Sequence, residues 1–239
     1  MSAPAPRTPE LGFALAGGTR ALFTTRAEGN LSTAAGERHE LGRARRDELC
    51  ARLGLSWLCA GPQVHGDRVH VIDRVDGQRG APSPVPADAR ATALPGVGAM
   101  VLAADCLPVA LGARGGVAMV HAGWRGLAAG ALEQGVRALR ALVGADERID
   151  AAVGPAAGAC CYEVGPEVHA AFSRRGRCAG THRHGRRIDL RAIAHERLLA
   201  AGVESVQHLD ACTICDERFF SHRREGERAG RHAGIAWLS

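Results

Sequence analysis

Residues 98–126 read GAMVLAADCLPVALGARGGVAMVHAGWRG, and the fold turns on how this stretch is divided. Two nearly continuous apolar runs, 99–103 and 116–120, match the pattern of strands buried on both faces. Each run ends on reactive residues. The first enters Ala104-Asp105-Cys106, and the second enters His121-Ala122-Gly123-Trp124-Arg125-Gly126. A thiol and an imidazole emerging where strands end are candidates for one shared cleft. The structural alternative is a small buried Cys and a satisfied core His.

Working outward, residues 127–143 repeat apolar side chains at helical spacing (Leu127, Ala131, Leu132, Val136, Leu139, Val143) up to Gly144. A strand follows at 149–153, running into Gly154-Pro155 and the turn Cys160-Cys161-Tyr162-Glu163-Val164-Gly165. Helices are expected over 166–172 and 189–201, a further segment from Ser205 to Thr213, and a last strand at 235–238. Upstream, 21–25 reads as a strand ending at Arg26, 43–53 as an amphipathic helix stopped by Gly54, and 69–75 as a strand. The Pro- and Gly-rich residues 77–96 read as one long surface loop, because candidate site residues flank it on both sides. Strands and helices mix without strict βαβ alternation. The fold class is therefore α+β, with mixed β-sheets packed against helices. Residues 1–20 read as a disordered lead, and 21–239 as a single domain.

The 239 residues can bury a full core, with 46% hydrophobic and 23% charged residues. All 30 basic residues are Arg, so a Schiff-base lysine, a P-loop lysine and a lysine general base are excluded. The positive groups are permanently charged forks suited to phosphate or carboxylate. An aromatic share of 4% argues against stacking platforms for nucleic acid. No apolar run approaches a membrane span, and no export signal is seen, so the expectation is a cytoplasmic protein with reduced thiols.

H-E-x-x-H, G-x-S-x-G, Walker, dinucleotide and zinc-deaminase motifs are all missing. Cys212-Thr213-Ile214-Cys215 is a lone C-x-x-C, read first as structural, with redox or metal binding as alternatives. His65, Cys106 and His121 form the sharper set, each at a strand end or a Gly-flanked turn. Two imidazoles and a thiolate make a tetrahedral site with one open position, the pattern of a catalytic metal. The same atoms serve without metal if Cys106 is a nucleophile, His121 its base and a third group orients the base. Spacing alone leaves both open. Arg125 opens the helix after His121 and reads either as an anion site or as a surface Arg near a Gly turn, and Asp105 beside Cys106 either supports a ligand His or caps local backbone.

Six segments together resemble the YfiH family, also called the multicopper polyphenol oxidase or laccase-domain family. They are Gln63-Val64-His65-Gly66; Ala104 to Val109; His121 to Gly126; Gly154-Pro155 with Cys161 to Gly165; Cys212-Thr213; and Phe219 to Arg224. The resemblance implies a YfiH-like fold, once grouped with cysteine hydrolases, and zinc held by His65, Cys106 and His121, with copper as the alternative metal. It implies phosphorolysis of adenosine, inosine, guanosine and methylthioadenosine, with adenosine deamination as a second activity. Cys106, His121 and Arg125 would then be catalytic, and Arg26, Gln63 and Arg125 would hold substrate or phosphate. The implied partners are a small nucleoside and phosphate, without nucleic acid or membrane, and a monomer is expected.

Two other activities attach to the same family: hydrolytic editing of a mis-loaded peptidoglycan precursor through Cys106 or the metal, and copper-dependent polyphenol oxidation. The latter needs a His-rich multi-copper set. The 11 His here are scattered singly, apart from His182-Arg183-His184. The chain departs from the family after Thr25-Arg26, where Ala27-Glu28-Gly29-Asn30-Leu31-Ser32 replaces the usual Gly-Gly-Val-Ser and later Ser-Leu-Asn-Leu-Gly.

Overall fold

The computed structural model describes residues 11–75, 83–173 and 183–239. Its strands are β1 (Leu11–Ala14), β2 (Thr19–Phe23), β3 (Trp57–Cys59), β4 (Val69–Ile72), β5 (Ala89–Thr92), β6 (Val97–Ala103) and β7 (Leu107–Ala113). They continue with β8 (Gly116–Ala122), β9 (Asp150–Val153), β10 (Arg183–His184), β11 (Arg187–Ile188), β12 (Ser205–His208) and β13 (His232–Leu238). The helices are α1 (Gly42–Arg52), α2 (Trp124–Ala129), α3 (Ala131–Val143), α4 (Pro166–Ser173), α5 (Leu190–Ala200) and α6 (His222–Glu225).

Two mixed sheets result. One is five-stranded, in the order β1-β2-β13-β6-β3, and the other six-stranded, in the order β12-β9-β7-β8-β5-β4. Their facing sides interleave: Phe23, Val101 and Ala236 of the first meet Ala110, Val117, Met119 and Ala152 of the second. The outer side of the first sheet packs Leu22, Leu58, Met100 and Ile235 against Leu49 and Cys50 of α1. The outer side of the second packs Leu111, Val120 and Ala151 against Leu132, Val136 and Leu139 of α3, Phe172 of α4 and Ile193 of α5. Both faces of β6, β7 and β8 are therefore covered, which explains their unbroken apolar runs. Each buried Leu or Val contributes about 1.5–3 kcal/mol of transfer free energy. The sheets lie close: a Cβ on Gly234 would stand 2.8 Å from Pro108 Cβ and 3.0 Å from Met119 Sδ.

The central stretch holds three strands where the sequence reading finds two. Leu107–Ala113 forms β7, a strand wholly buried between β8 and β9. Pro108 disguises it, since proline is disfavoured in a central strand. Here it is tolerated because pairing with β9 starts only at Val109. The carbonyl of Pro108 still accepts the Gly154 N–H at 2.8 Å. With β6 in one sheet and β7 in the other, Ala104-Asp105-Cys106 is the step between layers.

Four further expectations are corrected. Leu11–Ala14, read as part of a disordered lead, pairs antiparallel with β2; residues 1–10 lie outside the described residues. The loop 77–96 contains β5, buried and paired with β4 and β8, while residues 76–82 lie outside the described residues. The single helix over 127–143 is two helices, broken at Gly130, whose φ of 109° is open to glycine at little cost. The last strand also begins earlier than expected, at His232.

Candidate active site

His65 stands on the loop between β3 and β4 with φ 59°, a left-handed conformation uncommon for a residue with a Cβ. A buried carboxylate holds it there. Asp88, fully buried just before β5, accepts the backbone N–H groups of Val64 (3.1 Å), His65 (2.9 Å) and Gly66 (2.8 Å). The same carboxylate accepts from His121 Nδ1 at 2.9 Å. With Nδ1 donating to Asp88, the lone pair of His121 lies on Nε2, as a ligand histidine requires. Burial raises the Asp88 carboxyl, but its bond to His121 and the loop N–H groups outweigh this and hold it below the usual carboxylate range.

Cys106 is placed by a second strained turn. Asp105 has φ 90°, and its groups are fully engaged: Oδ1 accepts from Thr213 Oγ1 (2.6 Å), Oδ2 from the Arg223 N–H (2.7 Å), and the backbone carbonyl from the Ala157 N–H (2.9 Å). Such a conformation costs of order 1–3 kcal/mol and persists only where its surroundings over-determine it. Across the β7–β8 ladder, Leu107 pairs with Ala122, which sets Cys106 beside Gly123. A Cβ at Gly123 would lie 2.9 Å from Cys106 Sγ and 3.1 Å from His65 Cδ2; one at Gly126 would lie 2.7 Å from the Gly66 carbonyl. The glycines of His121-Ala122-Gly123-Trp124-Arg125-Gly126 leave room for the two ligand-bearing turns.

The donor atoms of His65, Cys106 and His121 lie within 4.8 Å of one another, and the two imidazole rings are 5.0 Å apart at 77°. Donors at 2.0–2.3 Å from a tetrahedral ion sit about 3–4 Å apart, so the set fits zinc, and imidazole with thiolate also suits copper. Without an ion the same groups form a polarised pair. Burial raises the Cys106 thiol, but His121 and His65 pull it down to about 6. Burial lowers His121, but Cys106 and Asp88 together raise it well above an ordinary histidine.

These residues line a cavity of about 880 Å³ that also includes Arg46, Gln63, Arg125, Tyr162, His222, Arg223 and Arg231. Arg125 lies in it with its guanidinium 4.4 Å from the Trp124 ring centre. Gln63 is on the wall, but both ends of its amide bond the Leu102 backbone at 2.8 Å, so its first task is to extend the edge of β6. Arg26 is not brought to this wall. Its guanidinium pairs with Glu225 at 2.5 Å, bonds the Phe219 carbonyl at 3.2 Å and stacks on Phe220.

Sequence reasoning misses Asp88, which no local motif marks, and Arg46, which is marked. Arg46 lies at helical spacing with Gly42, Leu49 and Cys50 on the buried stripe of α1, where an apolar residue is expected. It is 2% exposed, its Nε donates to the Leu31 carbonyl at 2.8 Å, and its Nη1 is buried with no hydrogen-bond partner. Burial, with repulsion from Arg90, lowers it only to about 10, so it stays charged at neutral pH.

Fold and donor set together define an α+β protein with a His-Cys-His candidate metal centre at the floor of a cationic cavity. Residues 16–239 match the family described as multi-copper polyphenol oxidoreductase laccase, and the chain belongs to that family. It is 42% identical over 224 residues to a Xylella fastidiosa protein named purine nucleoside phosphorylase, covering 88% of this chain and 84% of that one. It is 42% identical over 161 residues to an Escherichia coli protein named purine nucleoside phosphorylase YfiH, covering 64% of each. The crystal structure of a Neisseria meningitidis protein superposes with a TM-score of 0.81 at 31% identity, covering 96% of this chain and 99% of that one.

Proposed function

We propose that this chain is a cytoplasmic, zinc-dependent purine nucleoside phosphorylase acting on adenosine, inosine, guanosine and methylthioadenosine. The relatives named purine nucleoside phosphorylase support the substrate class. The observation that carries the reading is Arg46: a buried, charged guanidinium with an unpartnered Nη1, on the wall of the same cavity as the metal donors. A buried guanidinium with an unsatisfied N–H is costly, and an oxyanion such as phosphate relieves that cost with charge-assisted hydrogen bonds. Arg125 and Arg231 add positive charge. Asp105, the one acidic residue on the wall among the described residues, has both carboxylate oxygens engaged elsewhere.

In the reaction, a phosphate oxygen attacks C1′ of the ribose. The glycosidic bond breaks, its electron pair leaves with the purine, and the purine takes up a proton, giving free base and ribose 1-phosphate. Arg46 and Arg125 hold the phosphate close to the sugar, where its negative charge offsets the oxocarbenium-like character of the transition state. A zinc ion held by His65, Cys106 and His121 would supply Lewis-acid polarisation at the cavity floor. Asp88 fixes the orientation of His121 and the conformation of the His65 loop. Adenosine deamination, in which water adds at C6 of the base and ammonia leaves to give inosine, belongs to the same proposal as a side activity.

A second reading rests on Asp88. Cys106, His121 and Asp88 stand in the order nucleophile, base and orienter, which suits a cysteine hydrolase, and the family resemblance makes a mis-loaded cell-wall precursor its substrate. Products separate the two readings. Phosphorolysis predicts adenine release from adenosine that requires added phosphate; release without phosphate contradicts it. Cleavage of an amide precursor by protein stripped of metal favours the hydrolase.

A further inference from the structure

A second group of thiols lies outside the cavity. Cys160 and Cys161, on the turn after β9, meet Cys212 and Cys215 of the C-x-x-C turn after β12. All four sulfurs lie within 4.8 Å of one another, with Cys215 Sγ 3.0 Å from Cys161 Sγ and 3.6 Å from Cys160 Sγ. Cys215 faces both cysteines of the first turn, so no two sulfurs are paired to the exclusion of the others. Four thiolates at about 2.3 Å around a tetrahedral ion would be about 3.8 Å apart, inside the spread seen here.

We propose that Cys160, Cys161, Cys212 and Cys215 form a closed four-thiolate site for a structural zinc ion, distinct from the His65–Cys106–His121 centre. On binding, each thiol gives its proton to solvent and its sulfur lone pair to the ion. The backbone is arranged for it. The Gly158 N–H donates to Cys212 Sγ at 3.2 Å, and the N–H groups of Cys215 (3.1 Å) and Asp216 (2.8 Å) turn back onto the Cys212 carbonyl. The dianionic complex would be balanced by Arg187 and Arg224, which bond the carbonyls of Cys160 (2.5 Å) and of Thr213 (2.7 Å). With no open position and no share of the cavity wall, such an ion braces rather than reacts. What it braces is the support of Cys106, because Thr213 and Ala157, beside the two turns, both bond Asp105.

The test is metal stoichiometry on the whole chain, purified anaerobically under reducing conditions without chelator and supplied with zinc alone. Two equivalents per chain are expected for the native protein, and one for His65→Ala, held at the cysteine cluster. Loaded with cobalt instead, His65→Ala should show the intense sulfur-to-cobalt charge-transfer bands of a tetrathiolate. One equivalent in the native protein, a metal-free His65→Ala, or a mass 2 Da low from a disulfide between the turns each overturns the site. None of these readings depends on a cysteine variant folding.

Discussion

The two convergences of soft donors in this protein are built in opposite ways. At His65, Cys106 and His121, three donors from three distant segments face a cavity of about 880 Å³, with the Asp88 carboxylate behind them. At Cys160, Cys161, Cys212 and Cys215, four thiols from two neighbouring turns face one another, with backbone N–H groups around them and no part in that cavity. Three ligands leave a position for substrate, whereas four saturate a tetrahedral ion. The first arrangement suits chemistry and the second suits bracing, and Asp105 connects them: it precedes Cys106 and is bonded by Thr213 of the C-x-x-C turn. Position relative to the cavity separates the roles better than donor type does.

The strongest way to break the comparison is to disable the cavity centre and leave the cysteine cluster intact. His121→Ala should lose one equivalent of zinc and at least ~10³-fold in kcat/KM, roughly 4 kcal/mol of transition-state stabilisation, measured by metal analysis beside turnover. Undiminished turnover in the metal-depleted variant would contradict the catalytic role. Asp88→Asn keeps the shape but loses the charge that fixes the His121 tautomer. It should weaken zinc at this centre by about 10–100-fold and leave the cysteine cluster loaded, as read by competition with a chromogenic chelator.

Arg46 and Arg26 sharpen the contrast inside the cavity. Arg46→Met should raise the KM for phosphate about 10–100-fold, because a charged hydrogen-bond partner is worth about 1.5–3 kcal/mol, while the KM for nucleoside changes little. Arg26→Ala should leave phosphate affinity within twofold and cost less than about 1 kcal/mol in stability, since its pair with Glu225 is half exposed. Equal phosphate effects in the two variants would return Arg26 to the site.

His232 supplies a pH test away from both centres. It is fully buried against Phe219, and burial, reinforced by Arg231 and Arg26 and opposed by the Pro155 carbonyl, lowers it from 6.5 to about 3. The unfolded chain therefore binds this proton first. Its contribution to stability is complete above about pH 6.5 and falls with acidification toward pH 3, with a slope approaching 1.4 kcal/mol per pH unit. Urea melts between pH 7 and pH 4 should show a shallower decline for His232→Leu. An unchanged slope would assign the acid response to other groups, Asp88 among them.

Much of this architecture is legible in the sequence, because apolar runs buried on both faces are unambiguous. β6, β8 and β9 follow from their apolar runs, and a helix leading to Val143 from its spacing, though not its break at Gly130. Pro108 hides β7, and Gly and Pro residues hide β5, because a strand whose neighbours satisfy its backbone can carry residues that local propensity disfavours. At the site, His65, Cys106, His121 and Arg125 are legible from position at strand ends and from family motifs. Asp88 is not, since its role arises from a side chain reaching across to a loop more than twenty residues earlier. Nor is the pairing of Cys160-Cys161 with the C-x-x-C, which depends on β12 lying parallel to β9 and so bringing the turns that follow them together. Arg46 was within reach: a charged residue on the buried stripe of an amphipathic helix asks for an explanation.

The most direct test of the central claim is a phosphorus NMR measurement on the zinc-loaded native protein with adenosine and inorganic phosphate. The account predicts one ribose 1-phosphate formed for each adenine released, with the rate saturating in phosphate. Free ribose with adenine, or inosine as the main product with no phosphate consumed, would contradict it.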